Sequence, residues 1–273
     1  MGRAARAIEA WQELDAGIKL AWVLGALFVV ILVVFILARR KRRFTIDVGN
    51  AQFLGVAETQ NDYFACWENE NGLLALVSDG IGQNKFGRQC AEIVVKTYMD
   101  AFKKAGPIID PMLFLRRLLR TANQRVTKLV PGIDCGATLA AVLIRNGELY
   151  WISVGNSSVM AAGKEQITRM NETYTELYFN EPAYKRKPLA YFDRYIGLED
   201  DLKAQSGRLR LQRKQHVLLC TDGVYLQISE QDLLRALKKP LGAFEKAQAI
   251  LLQIENKHRT DQDNATLVLL DIH

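Results

Sequence analysis

Histidine is scarce in this 273-residue chain, and its few cysteines stand far apart. The three histidines, His216, His258 and His273, are scattered, and they read as surface or structural residues. The four cysteines, Cys66, Cys90, Cys135 and Cys220, form no CxxC pair. The closely spaced thiols and imidazoles of a structural zinc site are therefore missing. Each cysteine lies in or beside an apolar stretch, which favours buried, reduced thiols and a reducing compartment over disulfides. Beyond residue 43 no Pro/Gly/Ser-rich linker, low-complexity tract or internal repeat interrupts the chain, so residues 44–273 read as one domain. A surplus of charge is missing there too. The chain carries 36 Lys and Arg against 30 Asp and Glu, but residues 1–43 hold eight of those bases and only three of the acids. The remainder has 28 bases and 27 acids, which excludes the broad basic footprint of a nucleic-acid binder.

What is abundant is one apolar run. From Leu20 to Ala38 there are 19 consecutive uncharged residues, which as a helix span about 28 Å, close to the thickness of a bilayer's hydrocarbon core. A transmembrane helix is expected over residues 20–38, with the lipid bilayer as its partner. The rival reading, a cleaved signal peptide, fits less well. The preceding segment is mixed in charge, the run exceeds the usual hydrophobic core of a signal, and no A-x-A site precedes the basic block. Arg39-Arg40-Lys41-Arg42-Arg43 follows the run directly, and by the positive-inside rule it places the C-terminal side in the cytoplasm. The expected organisation is a short extracytoplasmic segment (1–19, weakly amphipathic), the span (20–38), a basic juxtamembrane stretch (39–43) and a cytoplasmic domain (44–273). That makes a single-pass protein of the cell membrane.

Within the domain, FTIDV (44–48), DYFACWE (62–68) and GLLALVS (72–78) read as strands, with a hairpin signal at Asn71-Gly72. Helices are expected over about Phe86–Lys104 and from an N-cap at Asp110 onward, with Leu115, Leu118, Leu119 and Val126 on one face. Strands return after residue 136, with a tight turn at Asn146-Gly147 and a further connection at Gly155-Asn156. A less patterned, tyrosine-bearing stretch, about 164–205, reads as a loop or lid. A strand over 216–221, helices near 229–238 and 241–257, and a strand over 265–271 complete the chain. This order suits an α+β domain with helices packed on sheets.

Three acids share one kind of position. Asp79 in SDG and Asp222 in TDG end apolar strands, and Asp263 in QDN precedes another. Strand ends within a sheet lie close together, so carboxylates placed there converge, and converging carboxylates repel unless a cation joins them. With no histidine or thiol pair nearby, the donor set is all oxygen, which selects Mg²⁺ or Mn²⁺. Two such ions can share a water and hydrolyse a phosphate ester by in-line attack.

The segments GVAETQNDYF, LVSDGIGQNKFG, CGATLAAVLIRNGELYWISVGNSSV, VLLCTDGVYLQIS and DQDNATLVLL, taken in order, resemble the motifs of the metal-dependent protein phosphatases of type 2C across about residues 53–271. The resemblance implies a four-layer α-β-β-α sandwich with two central antiparallel sheets and two Mg²⁺ or Mn²⁺ ions at one edge. It implies that Asp79 bridges the ions, that the Gly80 carbonyl binds one and that Asp222 and Asp263 complete the other. Asp62, with Asn61 beside it, would orient the attacking water. The implied reaction is hydrolysis of phosphoserine or phosphothreonine by a metal-bridging water or hydroxide, without a phosphoenzyme. The implied partners are a phosphorylated protein substrate and a cognate serine/threonine kinase. The chain departs from the family pattern at Ala57, where a phosphate-gripping arginine is usual, at Gln83, which breaks a glycine pair, and at Asn156, where an acid usually helps hold a third ion. No substrate-binding residue is assigned, with Lys85 and Arg88 the nearest bases to the metal loop. The alternative expectation is a pseudophosphatase that binds phosphoproteins, or serves as a scaffold at the membrane, with little or no turnover.

Overall fold

The structure is a computed structural model that describes residues 15–39, 44–82, 85–129, 135–172, 195–197 and 202–273. The chain divides into two compact units, Met1–Arg43 and Phe44–His273.

In the first unit, helix α1 (Ala16–Arg39) contains the whole of the expected span and begins four residues before it. Asp15 starts it by accepting a 2.7 Å hydrogen bond from the Gly17 amide on its Oδ1. Its apolar side chains, Trp22 and Phe28 among them, are exposed around the helix, a pattern suited to lipid rather than water. By length and composition the helix is able to cross a membrane. Residues 1–14 and 40–43, which carry most of the expected outer segment and the basic stretch, lie outside the described residues.

In the second unit the expected hairpins form. Strand β2 (Tyr63–Asn69) pairs with β3 (Gly72–Ser78), and β6 (Leu139–Arg145) with β7 (Glu148–Val154). At the second turn Asn146 and Gly147 take φ of 55° and 77°, the left-handed pair that a two-residue hairpin loop needs. Asn71 does more than turn the chain. It is buried, accepts from the Ile108 amide at 2.9 Å and donates to the Gly106 carbonyl at 3.1 Å, tying the first hairpin to the connection between two helices.

The connection at Gly155-Asn156 is not a hairpin. Strand β8 (Ser158–Ala162) leaves β7 and pairs instead with β11 (Gln215–Cys220) in a second sheet. Two five-stranded antiparallel sheets result. One runs β1 (Ile46–Phe53), β12 (Ala265–Ile272), β11, β8, β9 (Ile167–Arg169); the other runs β10 (Gln205–Arg210), β7, β6, β3, β2. A two-stranded piece, β4 (Gly80–Ile81) with β5 (Gly136–Ala137), stands apart.

The side-chain period of two assigns the faces. Along β3, Leu73, Ala75 and Val77 join Val142, Trp151, Leu219, Val268 and Leu270 in the core between the sheets. Leu74 and Leu76 face the other way, against Val94, Tyr98 and Phe102 of α2 (Lys85–Lys104) and Leu115 and Leu119 of α3 (Pro111–Leu129). Leu218, Leu267 and Leu269 likewise meet α5 (Glu230–Leu237) and α6 (Ala243–Glu255) on the outer face of the first sheet. The layers are therefore α-β-β-α, as the resemblance implies. Strands sandwiched on both faces are apolar throughout, which is why β3 and β12 read as unbroken hydrophobic runs.

Asp110 caps α3 as expected, its Oδ1 accepting from the Leu113 amide at 2.9 Å. Asp110→Ala is expected to cost about 1 kcal/mol, read from the urea midpoint of unfolding. Strand β9 falls within the stretch read as loop, and β10 begins where that stretch ends. The sequence QSGRLR of β10 offers a single apolar residue, and its strand state comes from pairing with β7 rather than from its own pattern. Residues 173–194 and 198–201 of that stretch lie outside the described residues.

Candidate active site

All four carboxylates singled out from the sequence sit at one edge of the sandwich, where β3 and β11 end and β2 and β12 begin. Asp79 lies between β3 and β4, and one buried threonine clasps its backbone. The Thr138 amide donates to the Asp79 carbonyl at 2.8 Å, and Thr138 Oγ1 accepts from the Asp79 amide at 2.9 Å. Thr138 is held in turn, with Ser78 Oγ donating to its carbonyl at 2.7 Å and Ser157 Oγ 2.6 Å from its hydroxyl. Gly80 follows because the chain there runs against α2. A Cβ at Gly80 would stand 2.1 Å from the Gly87 carbonyl oxygen, so only glycine fits.

Asp222 opens a single helical turn, α4 (Asp222–Tyr225), directly after β11. Asn156 reaches it from the crossover between the sheets, donating from Nδ2 to Asp222 Oδ2 at 2.8 Å. Tyr225 steadies that crossover by donating to the Asn156 carbonyl at 2.9 Å. Gly223 is again a close approach, a Cβ there lying 2.0 Å from the Asn264 carbonyl. Asp263 is exposed, and its Oδ1 accepts from the Asn264 amide at 2.7 Å.

Asp62 is buried, and Thr221 donates to its Oδ2 at 2.8 Å. That bond joins the end of β11 in one sheet to the start of β2 in the other. Asp62 Oδ1 is also buried and has no hydrogen-bond partner among the described residues. Asn61 is half-buried. Its amide donates to Asn264 Oδ1 at 2.7 Å, while its side-chain Oδ1 accepts from the Thr59 hydroxyl at 3.3 Å.

Burial dominates the electrostatics, and the neighbouring carboxyls add to it. The Asp79 carboxyl is held well above the usual range, first by burial and then by the charges of Asp62, Asp222 and Asp263. Burial pushes Asp222 up to about 7, with Asp263 and Asp62 adding to it. Asp62 is pushed up to about 6, chiefly by burial, and hydrogen bonds from Thr266 and Thr221 partly oppose the rise. Among the described residues none of the four carboxyls takes part in an ion pair. Nor do any three His, Cys, Asp or Glu side chains among those residues close into a ready chelate. Mutually repelling carboxyls with an unpartnered oxygen still fit a divalent oxygen-loving ion, and Mg²⁺ in particular keeps most of its shell as water.

The sequence reading missed the supports. Thr138, Thr221, Thr266 and Asn264 position the acids, and each is a buried polar residue in or beside an apolar strand. That mismatch was the available signal. It also treated Asn156 only as a lost acid, whereas the structure brings its amide onto Asp222. Ala57 is half-buried in the loop before β2, and Arg88 is exposed. Gln83 and the Lys85 side chain lie outside what is described.

A double antiparallel sheet between helices, with carboxyls gathered at one edge, is the arrangement that the sequence resemblance implies. Residues 55–260 match the family model of protein phosphatase 2C, and the chain belongs to that family. It is similar to the serine/threonine phosphatase stp of Listeria monocytogenes serovar 1/2a, 20% identical over 217 residues, covering 74% of this chain and 85% of that protein. The fold matches the solved S. agalactiae serine/threonine phosphatase with a TM-score of 0.75 at 17% identity, over 84% of this chain and 100% of that one. It also matches the catalytic domain of the phosphatase PstP in complex with two manganese ions, with a TM-score of 0.69 at 18% identity, over 84% of this chain and 99% of that one.

Proposed function

We propose that this chain is a membrane-anchored phosphatase that removes phosphate from phosphoserine and phosphothreonine in proteins, with two Mg²⁺ or Mn²⁺ ions. One observation carries the reading: four carboxyls from separate segments converge at one edge of the sandwich, and among the described residues none of them has an ion-pair partner. Asp79 would bridge the two ions, the Gly80 carbonyl would bind one, and Asp222 and Asp263 would hold the other. When bound, the ions supply neutralising charge for the carboxylates and the phosphate oxygens, and they acidify water. The protein's own part is placement. Thr138 fixes the Asp79 backbone, and Thr221 fixes Asp62 through Oδ2, which leaves Oδ1 to accept a hydrogen bond from the attacking water. An ionised carboxylate within reach of that water can take its proton, as a general base requires. Water then displaces the serine or threonine oxygen at phosphorus, and that oxygen leaves with a proton.

The relatives' printed names support the substrate class, and the manganese-bound neighbour supports the ion pair. Helix α1 and the basic block after it support an anchor with the domain in the cytoplasm. The full-length protein in neutral detergent is expected to hydrolyse a phosphothreonine peptide with Mn²⁺, to lose the activity in EDTA and to regain it on adding Mn²⁺. Asp222→Asn is expected to lower the rate at least about a hundredfold. Activity that survives EDTA would overturn the mechanism.

A second reading rests on Asn156, whose amide sits on Asp222 where a further acid would add charge, and on Ala57, which leaves no guanidinium at its position. Both changes favour a weak or silent enzyme that binds phosphoproteins. Saturable phosphopeptide binding in Mn²⁺ with no single-turnover release of phosphate would select that reading.

A further inference from the structure

At the end of the first sheet remote from the carboxyls lies a cavity of about 510 Å³, within the range that takes a small-molecule ligand. Its wall includes His216 on β11, which runs on to Cys220 beside the acid-bearing turn. At about 3.4 Å per residue, His216 stands about 14 Å from Cys220 along the strand, and Asp222 lies two residues further on, so this is a separate place.

Its chemistry is the reverse of the active site's. Lys164, Lys214, Lys238 and Lys239 line it and are exposed, against a single exposed acid, Glu165. Its other acid, Asp271, is buried and already neutralised by the Lys246 ammonium at 2.5 Å. Lys246 is itself only 6% exposed, and an ammonium has three donors, of which one has a partner among the described residues. The His216 imidazole lies beside them, with Nδ1 3.0 Å from Asp271 Oδ1 yet without a hydrogen bond in good geometry. A buried ammonium with spare donors is costly unless something satisfies it. The lining thus combines three surplus positive charges at the mouth with unsatisfied polar groups on the floor. Lys214 is held at the rim in a left-handed conformation, φ 63°, with its amide donating to the Ile272 carbonyl at 2.7 Å.

We propose that this cavity is a second anion site that binds a phosphate-bearing ligand, distinct from the catalytic edge. Ammonium groups on flexible stems recognise phosphate as a charge rather than by the bidentate geometry of arginine, and among the described residues no arginine lines the cavity. The phosphate has two possible sources, a soluble phosphate compound or an anionic lipid headgroup. His273, on the lining, donates its amide to the Thr45 carbonyl at 2.9 Å, and Thr45 is six residues along the chain from the last residue of α1.

The test uses the full-length protein in neutral-detergent micelles with EDTA throughout, so that no metal supports phosphate at the catalytic edge. Inorganic pyrophosphate is titrated in one arm and phosphatidylglycerol-doped micelles in the other, with binding followed by calorimetry. Saturable binding is expected in at least one arm, weakening as salt is raised. Saturation by pyrophosphate assigns a soluble ligand, and saturation by phosphatidylglycerol alone assigns a headgroup. The combined variant Lys164→Gln, Lys238→Gln, Lys239→Gln removes exposed charges only and is expected to bind at least tenfold more weakly, while Asp222→Asn binds as the unaltered protein does. Equal binding by the triple variant, or no saturation in either arm, overturns the site. Neither result bears on the phosphatase reading, which requires metal.

Discussion

Asp79→Asn is expected to lower Mn²⁺-dependent phosphatase activity by roughly 10³ or more, about 4 kcal/mol of transition-state stabilisation, and at the same time to raise the melting temperature of the metal-free protein. The two effects have one cause. Asp79 carries the most crowded carboxyl of the cluster, raised by burial and by three neighbouring acids. Replacing it with an isosteric amide removes a repelled charge, which stabilises the apo fold, and removes the proposed bridge between the ions, which ends turnover. Misfolding is not the expected confounder, because the Thr138 clasp acts on the Asp79 backbone and survives the change. Melting followed by tryptophan fluorescence in EDTA, beside a phosphopeptide assay in Mn²⁺, reads both. A metal-free variant that melts below the unaltered protein would refute the repulsion argument.

The second large effect is a coupling between pH and metal. Asp222 is raised from 3.8 to about 7 and Asp62 to about 6, so the folded state binds their protons more tightly than the unfolded chain does. Their contribution to stability is therefore fully present below about pH 4. It is lost as pH rises through 6 and 7. In EDTA the melting temperature is expected to fall between pH 5 and pH 8, against the usual direction for acidic groups that gain partners on folding. Added Mn²⁺ compensates the carboxylates once they are ionised, so the stabilisation it gives is expected to be much larger at pH 8 than at pH 5. A metal-free melting temperature that climbs from pH 5 to pH 8 would contradict the cluster's electrostatics, and a pH-independent effect of Mn²⁺ would place the ion elsewhere.

Much of the fold was legible because burial on both faces leaves a strong mark. The runs GLLALVS and ATLVLLDI could be little else than central strands, and the structure makes them β3 and β12, each packed on two layers. The Asn146-Gly147 turn and the Asp110 cap were legible for local reasons, since both depend on a few neighbouring residues. Strand β10 was not. An edge strand of polar residues is defined by its partner, and nothing in QSGRLR names β7. The connection at Gly155-Asn156 was legible but its destination was not, because a turn dipeptide does not say which sheet the next strand joins.

The sequence by itself determined that residues 20–38 are apolar over a bilayer's thickness, that the domain alternates strands and helices in an α+β order, and that Asp79, Asp222 and Asp263 stand at strand boundaries. These are properties of short windows, where side-chain periodicity and turn chemistry act within a few residues. Only the tertiary structure decided that the acids share one edge, that Thr221 links Asp62 across the two sheets, that Asn156 lies on Asp222, and that lysines from distant segments line one cavity. The Thr221–Asp62 bond alone joins residues 159 positions apart. Such contacts depend on which strands pair and which sheets stack, and long-range packing settles that after the local preferences have been spent.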